Sequence, residues 1–112
     1  MHKKHNKLVR DRIPEIIRQA GNQCEVVTMS EAELTQALRE KLLEEAREAA
    51  AATSPENLVS ELADLQEVID ALLTVYGIEY EAVVKEQTRK RTERGGFEQR
   101  LRLLWTESSE RI

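Results

Sequence analysis

Two stretches decide the fold: Lys41-Leu-Leu-Glu44-Glu45-Ala-Arg-Glu48 and, after the break Thr53-Ser54-Pro55, Glu61-Leu-Ala-Asp64. Each sets carboxylates three residues apart, and residues at i and i+3 share a helix face. Two such helices folded back on each other bring Glu45, Glu48, Glu61 and Asp64 towards one point. Carboxylates that converge inside a protein cannot all remain anions without a cation beside them. The first question is therefore which way these side chains face.

The flanking residues frame the two helices. Ser30-Glu-Ala-Glu33 has the spacing of a capping box, so a helix starts at Glu31. No breaker follows before Thr53, which carries it over residues 31–52. Ser54 as N-cap and Pro55 in the first turn start the next helix, which continues to Tyr76 and stops at Gly77. So short a connection makes the pair an antiparallel hairpin. A third long helix, Tyr80–Arg94, runs up to Gly95-Gly96, and a short one, Pro14–Ala20, ends at Gly21.

Helical geometry then sorts the acids. At about 100° per residue and with Leu34 at zero, Leu38, Leu42 and Ala49 mark an apolar stripe at about 40–80°. Glu45 falls at about 20°, within that stripe, Glu48 at about 320° on its edge, and Glu44 at about 280°, further out. On the second helix, Leu62, Leu65, Ile69, Leu72, Leu73 and Tyr76 lie within about 60° of Leu58. Glu61 is at about 300°, inside this stripe, and Asp64 at about 240°, at its margin, while Glu67 and Asp70 point away. A lone Glu in an apolar stripe is commonly a snorkelling or ion-paired side chain, with Lys41 and Arg47 as partners here. Two matched acidic pairs on consecutive helices favour a metal instead. Oxygen donors alone select a hard cation, Mg²⁺ or Mn²⁺. A di-iron centre built on Glu-x-x-His is excluded, because no histidine follows His5.

The third long helix carries the opposite charge. Arg91 and Arg94 continue its inner face of Tyr80, Val83, Val84 and Gln87, with Lys90 about 80° away. Gly95-Gly96 follow, offering backbone N–H groups to an anion. Acids for a cation and a basic, glycine-containing terminus together suit a substrate with several phosphates. Taken alone, the basic run equally suits a solvated helix C-terminus.

The totals narrow the rest. At 112 residues the chain is read as one domain, 1–112, with flexible ends at 1–5 and 106–112. With 34% charged and 4% aromatic residues it suits helices packed on helices, a mainly α fold. Cys24-Glu-Val-Val-Thr-Met29 is rich in β-formers, and Phe97–Trp105 alternates in part, which leaves room for a small β pair, about 24–29 with 97–105. A net charge of −4 argues against a nucleic-acid partner. The single cysteine, Cys24, excludes an intramolecular disulfide. No apolar run reaches the ~18 residues of a membrane span and no signal peptide is visible, so a cytoplasmic location is expected.

With these residues in hand, the sequence resembles the MazG-type all-α nucleoside triphosphate pyrophosphohydrolases, and within them a phosphoribosyl-ATP pyrophosphohydrolase-like subgroup. The family motif Glu-Glu-x-x-Glu, spacer, Glu-x-x-Asp stands here as Glu44-Glu45-Ala-Arg-Glu48 and Glu61-Leu-Ala-Asp64. The subgroup's opening and closing segments are matched by Asn6-Lys-Leu-Val-Arg-Asp-Arg-Ile-Pro14 and Lys90-x-x-x-Arg94-Gly-Gly-Phe97. The resemblance implies Mg²⁺-dependent cleavage of a nucleoside triphosphate, or a related nucleotide, to the monophosphate and pyrophosphate, a house-cleaning type of reaction. It implies Glu45, Glu48, Glu61 and Asp64 as metal ligands, with Glu44 nearby as an auxiliary, to which we assign the task of orienting the attacking water. Lys90 and Arg94, and less directly Lys7 and Arg10, become the phosphate contacts, and the helix face adds Arg91 to them. It also implies a homodimer or homotetramer in which the helices form a bundle, and the scarcity of aromatic residues for a core agrees. Two other classes share the scaffold: a non-catalytic nucleotide- or metal-binding protein, and a helical interaction module.

Overall fold

The computed structural model describes residues 2–107. It is all-helical there: α1 (Ile13–Gln19), α2 (Glu31–Ala50), α3 (Pro55–Tyr76) and α4 (Tyr80–Arg94). The chain divides into two units, Met1–Glu79 and Tyr80–Ile112. No described helix is long and apolar enough to cross a membrane. The flexibility expected of residues 1–5 and 106–112 falls partly outside the described residues, at Met1 and 108–112.

In the first unit the helix ends follow from local chemistry. Ser30 Oγ accepts the Glu33 N–H at 3.2 Å while the Glu33 carboxylate accepts the Ser30 N–H at 2.9 Å, so the capping box is complete. Ser54 Oγ accepts the Asn57 N–H at 3.1 Å, and Pro55, which has no N–H to leave unsatisfied, opens α3. Gly77 ends α3 at φ 66°, a left-handed conformation that costs glycine least. The N–H groups of Gly77 and Ile78 return to Thr74 and Leu73 carbonyls, the Schellman arrangement.

Residues 51–54 turn α2 back onto α3, and this hairpin is the packed centre of the unit. At its open end the Arg39 guanidinium donates to the Tyr76 hydroxyl at 2.6 Å and stands 5.5 Å from the ring centroid. Leu38 on α2 and Val68 on α3 are the buried apolar side chains, 3% and 5% exposed. Val68 sits about 80° from the centre of the apolar stripe expected on α3, on the side that carries Glu61 and Asp64. The seam has therefore rotated towards the acids, and Leu58, Leu62 and Tyr76, expected to face inward, are 39%, 46% and 48% exposed. A core this thin makes each buried methyl group count. Leu38→Ala should cost about 3 kcal/mol in chemical denaturation, whereas Val59→Ala, at a position 69% exposed, should stay within about 0.5 kcal/mol.

The β pair expected between 24–29 and 97–105 does not form, since no strand occurs among the described residues. Residues 22–30 have no regular structure, and Val26 and Val27 are exposed. In 97–105 a turn breaks the alternation: Arg100 N–H reaches Phe97 C=O at 3.1 Å, with Arg100 itself at φ 56°. A left-handed residue cannot continue the pleat of a strand. The β-formers at 24–29 are thus left without a ladder to join.

In the second unit α4 is exposed along its length, and Arg89 bridges Glu86 and Glu93 on one side. Gly95, at φ 82°, follows it with its N–H on the Arg91 carbonyl at 2.8 Å.

Candidate metal centre

The rotated seam is what brings the acids together. Glu45 projects from α2, and Glu61 and Asp64 project from successive turns of α3. Each offers one carboxylate oxygen, and these three oxygens lie within 4.8 Å of one another. Glu45 is only 7% exposed. The Oε2 atoms of Glu45 and Glu61 are buried without a hydrogen-bond partner. Such atoms cost free energy unless something positive meets them.

Two cations approach the trio from the chain itself. Lys41 Nζ, one turn before Glu45, stands 3.8 Å from Glu45 Oε1. Arg10, from the segment before α1, donates through Nη2 to Asp64 Oδ1 at 2.8 Å, joining residues 54 positions apart. Both Arg10 and Asp64 are more than two-fifths exposed, so this pair contributes about 1 kcal/mol at most. Neither cation satisfies the orphaned Oε2 atoms.

The electrostatics record the crowding. Burial pushes the Glu45 carboxyl above the usual carboxylate range, and the charges of Glu48 and Asp64 push the same way, against the pull of Lys41. Burial likewise raises Glu61, followed by the charges of Glu48 and Asp64. Glu48 therefore belongs to the neighbourhood although its side chain is exposed and it stands outside the trio. Glu44 is exposed on α2 and shares a groove with Lys7 and Lys41. Lys90, Arg91 and Arg94 lie on α4 in the second unit, where Arg91 is ion-paired with Glu98.

Sequence spacing pointed to the four acids, and helix periodicity alone contained that information. It named Lys41 only as a surface partner for Glu45, and in the structure that contact coexists with burial. The Arg10–Asp64 contact had no signal in the sequence, because the segment before α1 carries no period to read.

The donor chemistry fits a divalent cation: oxygen atoms only, two of them buried and unpartnered, with excess negative charge. A helical hairpin with such a cluster defines an all-α protein with a candidate divalent-cation site. Residues 13–91 match the family described as phosphoribosyl-ATP pyrophosphohydrolase, most of the chain, and the protein belongs to that family. The family falls within the MazG-like all-α nucleoside triphosphate pyrophosphohydrolase superfamily. Membership points to a hydrolase with nucleotide pyrophosphohydrolase activity, in a family generally dependent on a divalent metal. No curated protein and no solved structure matches the chain significantly.

Proposed function

We propose that the protein is a Mg²⁺-dependent nucleoside triphosphate pyrophosphohydrolase, Mn²⁺ being an alternative ion, that releases pyrophosphate and a nucleoside monophosphate. One observation carries the reading: the buried, unpartnered Oε2 atoms of Glu45 and Glu61 beside Asp64. Glu45, Glu48, Glu61 and Asp64 are the metal ligands. When bound there, the cation supplies charge neutralisation for the triphosphate and acidifies water at neutral pH.

The remaining roles fall to the chain's own side chains. Glu44, exposed beside Glu45, accepts a proton from the attacking water and orients it towards the α-phosphorus. Arg10 is the counter-ion of Asp64. With a triphosphate bound, its guanidinium would hold phosphate oxygens through two donors at once. Lys7 supplies a second positive charge from the same segment. Lys90, Arg91 and Arg94 give the second unit its own affinity for polyphosphate. A stripe of exposed Leu58, Leu62 and Tyr76 supports self-association as a dimer or tetramer. The free Cys24 thiol agrees with a reducing, cytoplasmic setting.

A panel of canonical and damaged nucleoside triphosphates incubated with the protein and Mg²⁺ tests the reaction. The expected products are equimolar pyrophosphate and monophosphate, with nothing formed after chelation. Orthophosphate and a diphosphate as products, or no cleavage of any member, would overturn it.

A further inference from the structure

Outside the acid cluster, the first unit carries a groove of about 500 Å³ between residues 6–8, Met29 and one stripe of α2. That volume lies in the ~300–1,000 Å³ range of small-molecule sites. Ala32, Glu33, Gln36, Ala37, Glu40 and Lys41 form its α2 wall at three- and four-residue spacing, and the wall ends at Glu44. At 1.5 Å per residue this stripe is about 18 Å long. Asn6 also lines the groove, with a left-handed backbone at φ 46°, a conformation Asn tolerates better than most residues. Its near end leads into the acid cluster, for Glu44 precedes Glu45 and Lys41 also reaches Glu45.

We propose that this groove holds the nucleoside part of the substrate, with the phosphates at the Lys41 end, and that it selects bases carrying an exocyclic amino group. The proposal rests on the reading of the acid cluster as a polyphosphate-processing centre. The groove has both components such a site needs. Leu8, Met29, Ala32 and Ala37 give it an apolar lining, and the two alanines leave room for a flat ring beside an adaptable thioether. The polar lining in its middle is rich in acceptors. Gln36 Nε2 donates to Glu40 Oε1 at 3.1 Å, which turns the Gln36 amide so that its carbonyl oxygen remains to accept. The second Glu40 oxygen and the Glu33 carboxylate add further acceptors. Adenine and cytosine present an amino donor to such a surface, and guanine does so from its C2 edge, whereas uracil and thymine present only carbonyl oxygens in place of an amino group. A keto group facing a carboxylate leaves both unpaired, and this is a strong form of discrimination.

The test uses the full chain with Mg²⁺. For the unmodified protein, kcat/KM for ATP and CTP should exceed that for UTP by about tenfold, a difference of roughly 1.4 kcal/mol. Glu40→Lys replaces an exposed acceptor by a donor and should erase or invert that ratio, which is insensitive to any general change in anion affinity. Ala37→Phe fills the groove and should raise KM for every nucleotide by about tenfold while kcat and the affinity for inorganic tripolyphosphate hold. Unchanged melting temperatures identify folded variants, and Ala32→Phe, at an exposed position, replaces Ala37→Phe should the latter unfold. Cleavage of nucleotides without base preference, a ratio untouched by Glu40→Lys, or nucleotide KM values untouched by filling the groove each overturn the groove alone. Absence of cleavage of any nucleotide, with no Mg²⁺-dependent binding of tripolyphosphate, overturns the reading of the acid cluster and the groove with it.

Discussion

Glu48→Gln is expected to lower kcat/KM for pyrophosphate release by about a thousandfold, close to 4 kcal/mol of transition-state stabilisation. Glu48 is exposed, so the substitution removes no packing. Its charge, like that of Asp64, raises both Glu45 and Glu61, one on each helix of the hairpin. Glutamine keeps the shape and one carbonyl oxygen but loses the negative charge that a divalent ion requires. Circular dichroism and the melting temperature of the metal-free variant should match those of the parent protein. Raising the Mg²⁺ concentration should restore part of the activity, because a weakened site is filled by mass action. Activity within threefold of the parent would remove Glu48 from the ligand set.

The second large effect concerns stability and changes sign with metal. Without divalent cations at neutral pH, Glu45→Gln should be more stable than the parent, on the order of 1 kcal/mol or about 5 °C. The parent buries a carboxylate with one orphaned oxygen and like charges nearby, and the amide removes that charge. The sign follows from linkage. The Glu45 carboxyl is raised in the folded state, so its contribution is most favourable below the ordinary carboxylate range and is lost as pH rises through the raised value. The advantage of Glu45→Gln should therefore shrink on acidification to pH ~4. With Mg²⁺ at about a hundred times its dissociation constant the parent should gain about 2.7 kcal/mol and overtake the variant. Thermal melts at several pH values, with and without Mg²⁺, read all of this. An amide variant less stable than the parent at neutral pH without metal would contradict the cost assigned to the buried charge.

How much of this was legible in the sequence depends on whether the controlling interaction is local. Helix ends are local: Ser30 with Glu33, Ser54 with Pro55, and Gly77 each satisfy backbone groups a few residues away, and each stands as its spacing indicates. The inward direction of Glu45 and Glu61 was legible because it is a periodicity. The rotation of the seam onto Val68 was not, because a wide apolar stripe on α3 permits several docking angles and the choice belongs to the pair of helices. The strand at 24–29 failed for a related reason: β-propensity is a preference for a pleated, partnered surface, and no partner strand exists among the described residues. Arg10 on Asp64 is the extreme case, a contact fixed by tertiary structure alone.

The loop at residues 51–54 has a consequence for how the protein comes into being. Because α2 and α3 are joined by so little chain, the closure that buries Leu38 and Val68 is also the motion that crowds Glu45 against Glu61 and Asp64. Site assembly and hairpin collapse are then a single, low-contact-order event. On a ribosome, where domains fold as their segments emerge, the whole acid set is outside the tunnel once α3 has emerged, before α4 follows it out. The acid cluster is therefore assembled by α2 and α3 alone, without waiting for the second unit.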